Sequence, residues 1–294
     1  MGVSQTFERR RTQAILQRTE VSQEVYMIGF NYLGKLGQLG NQMFQYATVL
    51  GVAEKIGTDP CIPHHHEVMV DSLGNRLRIE LFDAFDIKPD RVGFIPTDKN
   101  YQEPDFTFDK DIFKIDPTHD SCLVGFFQTD KYFRHIKDRI KEEYTFKDEI
   151  KGECQDIVDC FDNPVALHIR RGDYLINSGN HHNLSDDYYE HALKEFDEDR
   201  QVVIFTDDPD WALNNPLFGS DRFIVSEGNG PYHDLYMMTQ CSDFIISNST
   251  FSWWGAWLAD KGKVVAPETW FGPNNSHKST RDLYPEHWTI IPQS

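Results

Sequence analysis

The sequence predicts an α/β protein whose two halves face a cleft, and three patterns carry that prediction. In the second half, apolar runs that read as strands at 164–170, 201–206, 222–226, 243–247 and 263–266 alternate with helical spacing at about 185–197, 208–214, 232–241 and 251–260. Such alternation implies a parallel sheet with right-handed crossovers. The first half opens on its own unit of strand, glycine loop and helix. Between the halves, the charged stretch from Lys147 to Asp162 contains Gly152 and sets a boundary near residue 150. The expected organisation is a polar N-terminal arm over 1–24, one α/β half over 25–150 and a second over 151–294.

In the first half, Val25 to Phe30 reads as a strand and Gly34 to Asn41 as a glycine-punctuated loop. Met43, Tyr46, Ala47, Leu50 and Ala53 then recur at helical spacing through Ile56. This frame can bring a helix N-terminus to an anion, or it can be a tight turn into a helix. It lacks the Gly-Lys-Ser/Thr of a P-loop and misses G-x-G-x-x-G. The region 60–110, rich in Pro, Asp, Asn and Phe, reads as loops and short elements suited to shaping an acceptor site. His64-His65-His66 follows Pro63 and reads as a polar loop, because three consecutive histidines cannot all face one ion in regular structure. A strand is expected around Leu123 to Phe127 and a helix over about 131–144.

The most informative stretch is His168-Ile169-Arg170-Arg171-Gly172-Asp173-Tyr174, at the carboxyl end of the apolar run Pro164 to Leu167. Period-two alternation aims His168 and Arg170 one way and Ile169 and Arg171 the other. Arginines there are costly without an anionic partner, and the guanidinium fork suits phosphate. Ligands of open α/β sheets sit outside the strands' carboxyl ends. Either a phosphate-bearing ligand or an Arg–carboxylate pair bracing a loop satisfies these charges. Thr206-Asp207-Asp208-Pro209-Asp210 ends another strand, and its acids can cap the next helix, orient the arginines or hold a metal. Asp234 falls in the first turns of a helix, where an acid is favoured electrostatically in any case. Ser247-Asn248-Ser249-Thr250-Phe251 forms a strand-to-helix turn whose N–H groups and hydroxyls converge, as an anion site or as an ordinary cap.

The chain has 294 residues, of which 39% are hydrophobic and 13% aromatic, enough for a full core in one large or two ordinary domains. Its net charge of -18 and pI near 5.0 argue against duplex nucleic acid, which is bound by Lys and Arg neutralising phosphates. A small phosphorylated ligand in a local basic pocket remains compatible. The five cysteines are odd in number and lack C-x-x-C spacing, which fits reduced thiols in a cytosol-like compartment. No apolar run approaches the roughly 18 residues of a membrane span, and the first residues lack a signal peptide's apolar centre. Gly2 and Thr6 match the short, often accidental myristoylation pattern. Asn248-Ser249-Thr250 is a glycosylation sequon, but its place between a buried strand and a helix argues against modification.

Four blocks in order, Gly37-Gln38-Leu39-Gly40-Asn41-Gln42-Met43-Phe44-Gln45-Tyr46-Ala47, His168 to Tyr174, Phe205-Thr206-Asp207-Asp208 and Ser247 to Trp257, resemble the α-1,2-fucosyltransferases of glycosyltransferase family 11. The resemblance runs from near residue 25 to near 260; Gln38 stands where a second glycine is usual. It implies a GT-B fold of two Rossmann-like halves, 25–150 on the acceptor side and 151–294 binding GDP-fucose. It further implies inverting transfer of L-fucose to the 2-hydroxyl of a terminal β-galactoside, such as lactose or N-acetyllactosamine, without a metal or other cofactor. Carried onto this chain, Arg170 grips the diphosphate and stabilises the leaving group. His168 and Asp234 contact the nucleotide, Asp234 at the guanine; Ser249, Thr250 and Phe251 offer donors to the phosphates. Asn41 reaches across the cleft, and Asp173 is the candidate base. Alternatives are a fucosyltransferase of other linkage, an inactive GDP-sugar or glycan-binding protein, and a GT-A enzyme using Asp207 and Asp208 with manganese. Lack of an anchor fits a soluble cytoplasmic enzyme of a bacterium or virus.

Overall fold

The computed structural model describes residues 25–64, 69–70 and 76–292; the N-terminal arm with its Gly2–Thr6 pattern, and His65 and His66, lie outside them. Two sheets carry the fold. The first has the order β5-β2-β1-β7-β6, with β1 Met27–Gly29, β2 Asp59–Ile62, β5 Arg91–Val92, β6 Asn100–Gln102 and β7 Ser121–Val124. All its pairings are parallel. A small antiparallel pair, β3 Met69–Val70 and β4 Arg76–Leu77, lies outside it. The second sheet has the order β10-β9-β8-β11-β12-β13, with β8 Val165–Ile169, β9 Val202–Thr206, β10 Phe223–Val225, β11 Asp243–Ile245, β12 Val264–Pro267 and β13 Thr289–Ile291. It too is parallel throughout. Chain order runs outward from β8 on one side and from β11 on the other, so the crevice between those two strands is a topological switch point.

The helices used below are α1 Leu39–Ile56, α2 Leu81–Ala84, α3 Lys137–Glu143, α4 Asp148–Val158, α5 Gly172–Ile176, α6 Asp186–Leu193, α7 Pro209–Asn214, α8 Pro231–Gln240 and α9 Thr250–Ala259. The strands and helices expected in the second half fall within a few residues of these bounds. Pro stands in the first turn of α7 and of α8, where a missing N–H costs nothing. The segment expected as one helix over 131–144 is broken. Short 3-10 turns at Asp130–Tyr132 and Arg134–Ile136 precede α3, and Phe133 between them has φ -136 and ψ 0, outside the helical region. Tertiary packing overrides the local pattern there: a methyl added at Gly51 would stand 2.3 Å from the Tyr132 carbonyl oxygen, so α1 lies directly against this turn. The strand expected around 123–127 ends at Val124, because Gly125 (φ 157) and Phe127 (φ 52) turn the chain away. The charged stretch after Lys147 is the helix α4, with Ile150 and Cys154 buried.

One apolar core joins both sheets. Phe44 of α1 stands 4.4 Å from Trp253 and 5.0 Å from Trp254 of α9, ring centre to ring centre. Phe133 stacks on Trp254 at 5.5 Å and 14°. These residues form one continuous cluster with Leu50, Leu235 and Phe244. Interfaces between halves are usually polar and mobile; one built from buried tryptophans holds its partners in register. Replacing Gly51 by Ala should cost about 1–3 kcal/mol through overpacking against a backbone oxygen that cannot swing aside. Urea unfolding should show a lower midpoint with an unchanged slope.

Candidate active site

The switch point of the second sheet brings His168 and the turn from Ser247 to Phe251 together, with Arg170 one residue past β8, while Asp234 lies beside β10. His168 is buried at the end of β8 and shares a 2.7 Å hydrogen bond with Ser247 Oγ, from the turn after β11. Its ring lies 5.4 Å from that of Phe251. Burial first, and the nearby Arg170 charge second, push the imidazole down to about 3, so it is neutral at ordinary pH. Ser249 caps α9, its hydroxyl accepting the Phe251 N–H at 3.3 Å. Asn248 is buried and donates to the His182 and Trp270 carbonyls, which withdraws the sequon from modification.

Arg170 and Arg171 part company. Arg170 Nε and Nη2 both reach Asp173 Oδ1, at 2.9 and 2.8 Å, and Nε lies 3.2 Å from Asp207 Oδ2. Arg171 turns away to Asp208, at 3.0 Å, and lays its guanidinium 4.1 Å above the Trp211 ring. Asp208 also caps α7 by accepting the Trp211 N–H. Asp207 accepts the backbone N–H groups of Arg171 and Gly172, at 2.8 and 3.1 Å. Of the roles open to these acids, capping and orienting the arginines are the ones occupied. Arg171 braces the loop; Arg170 turns the other way, over the Tyr174 ring at 5.7 Å.

From the first half, the start of α1 meets the start of α9. A methyl added at Gly40 would lie 2.5 Å from Thr250 Oγ1, and Trp254 Nε1 donates to the Gly40 carbonyl at 3.0 Å. Asn41 is one residue further, its Oδ1 accepting from Gln128 Nε2 at 2.9 Å. The two helix N-termini therefore meet, each with its partial positive charge. Arg170 connects to them through Tyr174, whose ring lies 5.7 Å from its guanidinium and whose hydroxyl donates to the Asn248 carbonyl in the turn before α9. Ser249 caps α9 with its side chain, whereas Gln38 stands at the N-cap position of α1 without a side-chain bond. An anion is the natural occupant of such a point.

Residues 3–292 match the pattern of Glycosyl transferase family 11. The chain belongs to this family. It is 30% identical to the O-antigen biosynthesis glycosyltransferase WbnK of Escherichia coli, over 84% of this chain and 97% of that protein. It is 35% identical to an alpha-1,2-colitosyltransferase of Escherichia coli, over 58% of this chain and 62% of that one. Galactoside alpha-(1,2)-fucosyltransferase 2 of Mus musculus is 27% identical, over 87% of this chain and 77% of its own. Among solved structures, a mutant of Arabidopsis thaliana FUT1 in complex with GDP superposes with a TM-score of 0.52 and 10% identity, over 90% of this chain and 76% of that one. The NodZ alpha-1,6-fucosyltransferase soaked with GDP-fucose gives 0.51 and 12%, over 87% and 98%. The architecture of this family 11 glycosyltransferase is thus GT-B, two parallel α/β halves, and no helix among its described residues is long and apolar enough to cross a membrane.

Asp234 lies in the first turn of α8, its Oδ1 accepting from Ser226 Oγ at 2.7 Å. Burial pushes its carboxyl up to about 6. His64, exposed, has no part in the convergence. Gln128 and Glu103 fell in no sequence motif, whereas Tyr174 closes the stretch from His168. Gln128 pairs with Asn41, and Tyr174 donates to the Asn248 carbonyl at 2.9 Å while stacking on His181 at 4.1 Å. Glu103 accepts the N–H groups of Phe126 and Phe127 at 2.7 and 2.9 Å. The one signal for Gln128 was its place just past the end of a buried strand.

Because His168 stays neutral in the fold while the unfolded chain protonates below 6.5, its contribution to stability is lost as pH falls from 6.5 toward 3. The advantage of the wild type over His168→Gln should shrink by about 1.4 kcal/mol per pH unit in that window. Denaturant titrations of both proteins at several pH values check it.

Proposed function

We propose that this family 11 enzyme transfers L-fucose from GDP-fucose to the 2-hydroxyl of a terminal β-galactoside with inversion at the anomeric carbon. The observation that carries the reading is the meeting of the α1 and α9 N-termini at the β8–β11 crevice, where β8 delivers His168 onto Ser247 and is followed directly by Arg170. Relatives that transfer fucose or colitose with α-1,2 linkage support the sugar class and the linkage.

In an inverting displacement the acceptor oxygen forms a bond to the anomeric carbon as the bond to the β-phosphate oxygen breaks. The departing electron pair leaves on GDP. Fixed cations and oriented N–H groups stabilise that charge with little reorganisation. Arg170 supplies the cation, exchanging its carboxylate partners in part for the diphosphate, and the turn at Ser249, Thr250 and Phe251 supplies N–H donors. Asn41 reaches the fucose or the diphosphate from the other half. His168, held neutral, contacts the nucleotide without adding charge. Asp173 holds the Arg170 plane through Oδ1; its Oδ2 is the candidate for receiving the acceptor's proton. We assign no metal to the reaction, since Arg170 and the helix N-termini already complement the phosphates.

GDP release from GDP-fucose should require lactose or another β-galactoside, persist in EDTA, and yield an α-1,2 product. Arg170→Ala should lower kcat about 10²–10³-fold, the effect of losing one oxyanion donor, and Arg170→Lys should recover only part of it for want of the fork. Full activity in Arg170→Lys, or dependence on manganese, would contradict the mechanism.

Asp234 is assigned to the guanine, whose adjacent N–H groups suit a carboxylate. GDP affinity should fall as pH drops below about 6, where this group takes up a proton. Asp234→Asn should bind weakly at every pH and lack that part of the dependence, as calorimetry of both proteins would register.

A further inference from the structure

A cleft of about 670 Å³ is lined, among others, by Gln102, Glu103, Phe106, Gly125, Phe126 and Lys278. Its walls come from both halves: the carboxyl ends of β6 and β7, and the loop after β12. Phe106 stacks on Phe126 at 5.6 Å and 22°, and Phe271 meets Phe106 edge-on at 5.0 Å. All three rings are only partly buried. Lys278 lies 4.5 Å above the Phe106 ring, within cation–π range. Beside this apolar corner sits Glu103, whose oxygens accept the Phe126 and Phe127 N–H groups. Each carboxylate oxygen has a second lone pair for a ligand. Burial pushes this carboxyl up to about 7, so near neutrality it can both accept and donate.

The cleft adjoins the donor side by two routes. Phe271 forms a β-bridge with His181, which stacks on Tyr174, whose ring lies 5.7 Å from the Arg170 guanidinium. On the other side, the turn from Gly125 leads to Gln128, bonded to Asn41. Partly exposed rings, a two-faced carboxyl and a lysine ammonium suit a molecule with an apolar face and a rim of hydroxyls. The volume falls in the range of small-molecule sites.

We propose that this cleft holds the acceptor saccharide, the sugar's C–H face against Phe106 and Phe126 and its hydroxyls on Glu103 and Lys278. The inference rests on the glycosyl-transfer reading above. It makes Glu103 a saccharide-binding residue and gives the aromatic corner, which carries no motif, the choice of acceptor.

Saturation-transfer NMR with lactose and N-acetyllactosamine, in the presence of GDP, tests it alongside calorimetry of GDP binding. Wild type should transfer saturation to the galactose ring protons. Phe106→Ala and Lys278→Ala should each weaken saccharide affinity, about tenfold for Phe106→Ala, while GDP affinity stays within about twofold. Saccharide affinity of wild type should change between pH 6 and 8, and Glu103→Gln should lose that change. Thermal melting identifies a variant that fails to fold, and Lys278→Ala, altering a surface side chain, keeps the test open if Phe106→Ala does. Undiminished transfer in both folded variants, or no transfer from wild type to either sugar, would overturn the inference. Absence of GDP binding with saccharide binding still sensitive to Phe106 would instead overturn the donor reading and leave the cleft standing.

Discussion

The close approach of α1 to α9 is the constraint on which the rest depends. Only a glycine fits at position 40, where any side chain would strike Thr250, and the Trp254 indole then ties the two helix starts together. Two like ends of helix dipoles are brought together, an arrangement that electrostatics alone disfavours. Burial of Phe44, Trp253 and Trp254 in the shared core offsets that cost. Packing thus holds the two helix starts together, and the two halves cannot drift apart without exposing tryptophan.

Around that site the charges are managed locally. A molecule of net charge -18 gives Arg170 and Arg171 separate acidic partners. Arg171 with Asp208 and Trp211 is a brace; Arg170 with Asp173 and Asp207 is a cation whose partners hold its plane. Screening over about 10 Å leaves the distant acidic surface with little say at the crevice. Burial governs the titrating groups nearby, keeping His168 neutral and raising Glu103 and Asp234 toward the neutral range. Each of the three is therefore placed to bind a polar partner rather than to carry a permanent charge.

Much of the second half was legible along the chain because its signals are local. Buried parallel strands read as continuous apolar runs, and Pro, Ser and Asp mark the helix starts between them. The His168–Tyr174 strand end was legible for the same reason: charge at the end of an apolar run demands a partner. The 131–144 segment was not, because its break is imposed by α1 lying against the Tyr132 turn, a contact 81 residues distant from Gly51 in the chain. Nor was Gln128, which pairs with Asn41 across 87 residues, or Glu103, whose role comes from the strained turn at Gly125 and Phe127.

By itself the sequence determined the strand and helix alternation, the parallel sheet and the cationic strand end, since these follow from side-chain period and from the cost of burying charge. Only the tertiary structure decided how the two arginines part, which acids hold each, and that the starts of α1 and α9 meet. Those choices depend on contacts between residues far apart in the chain, and no local period encodes them.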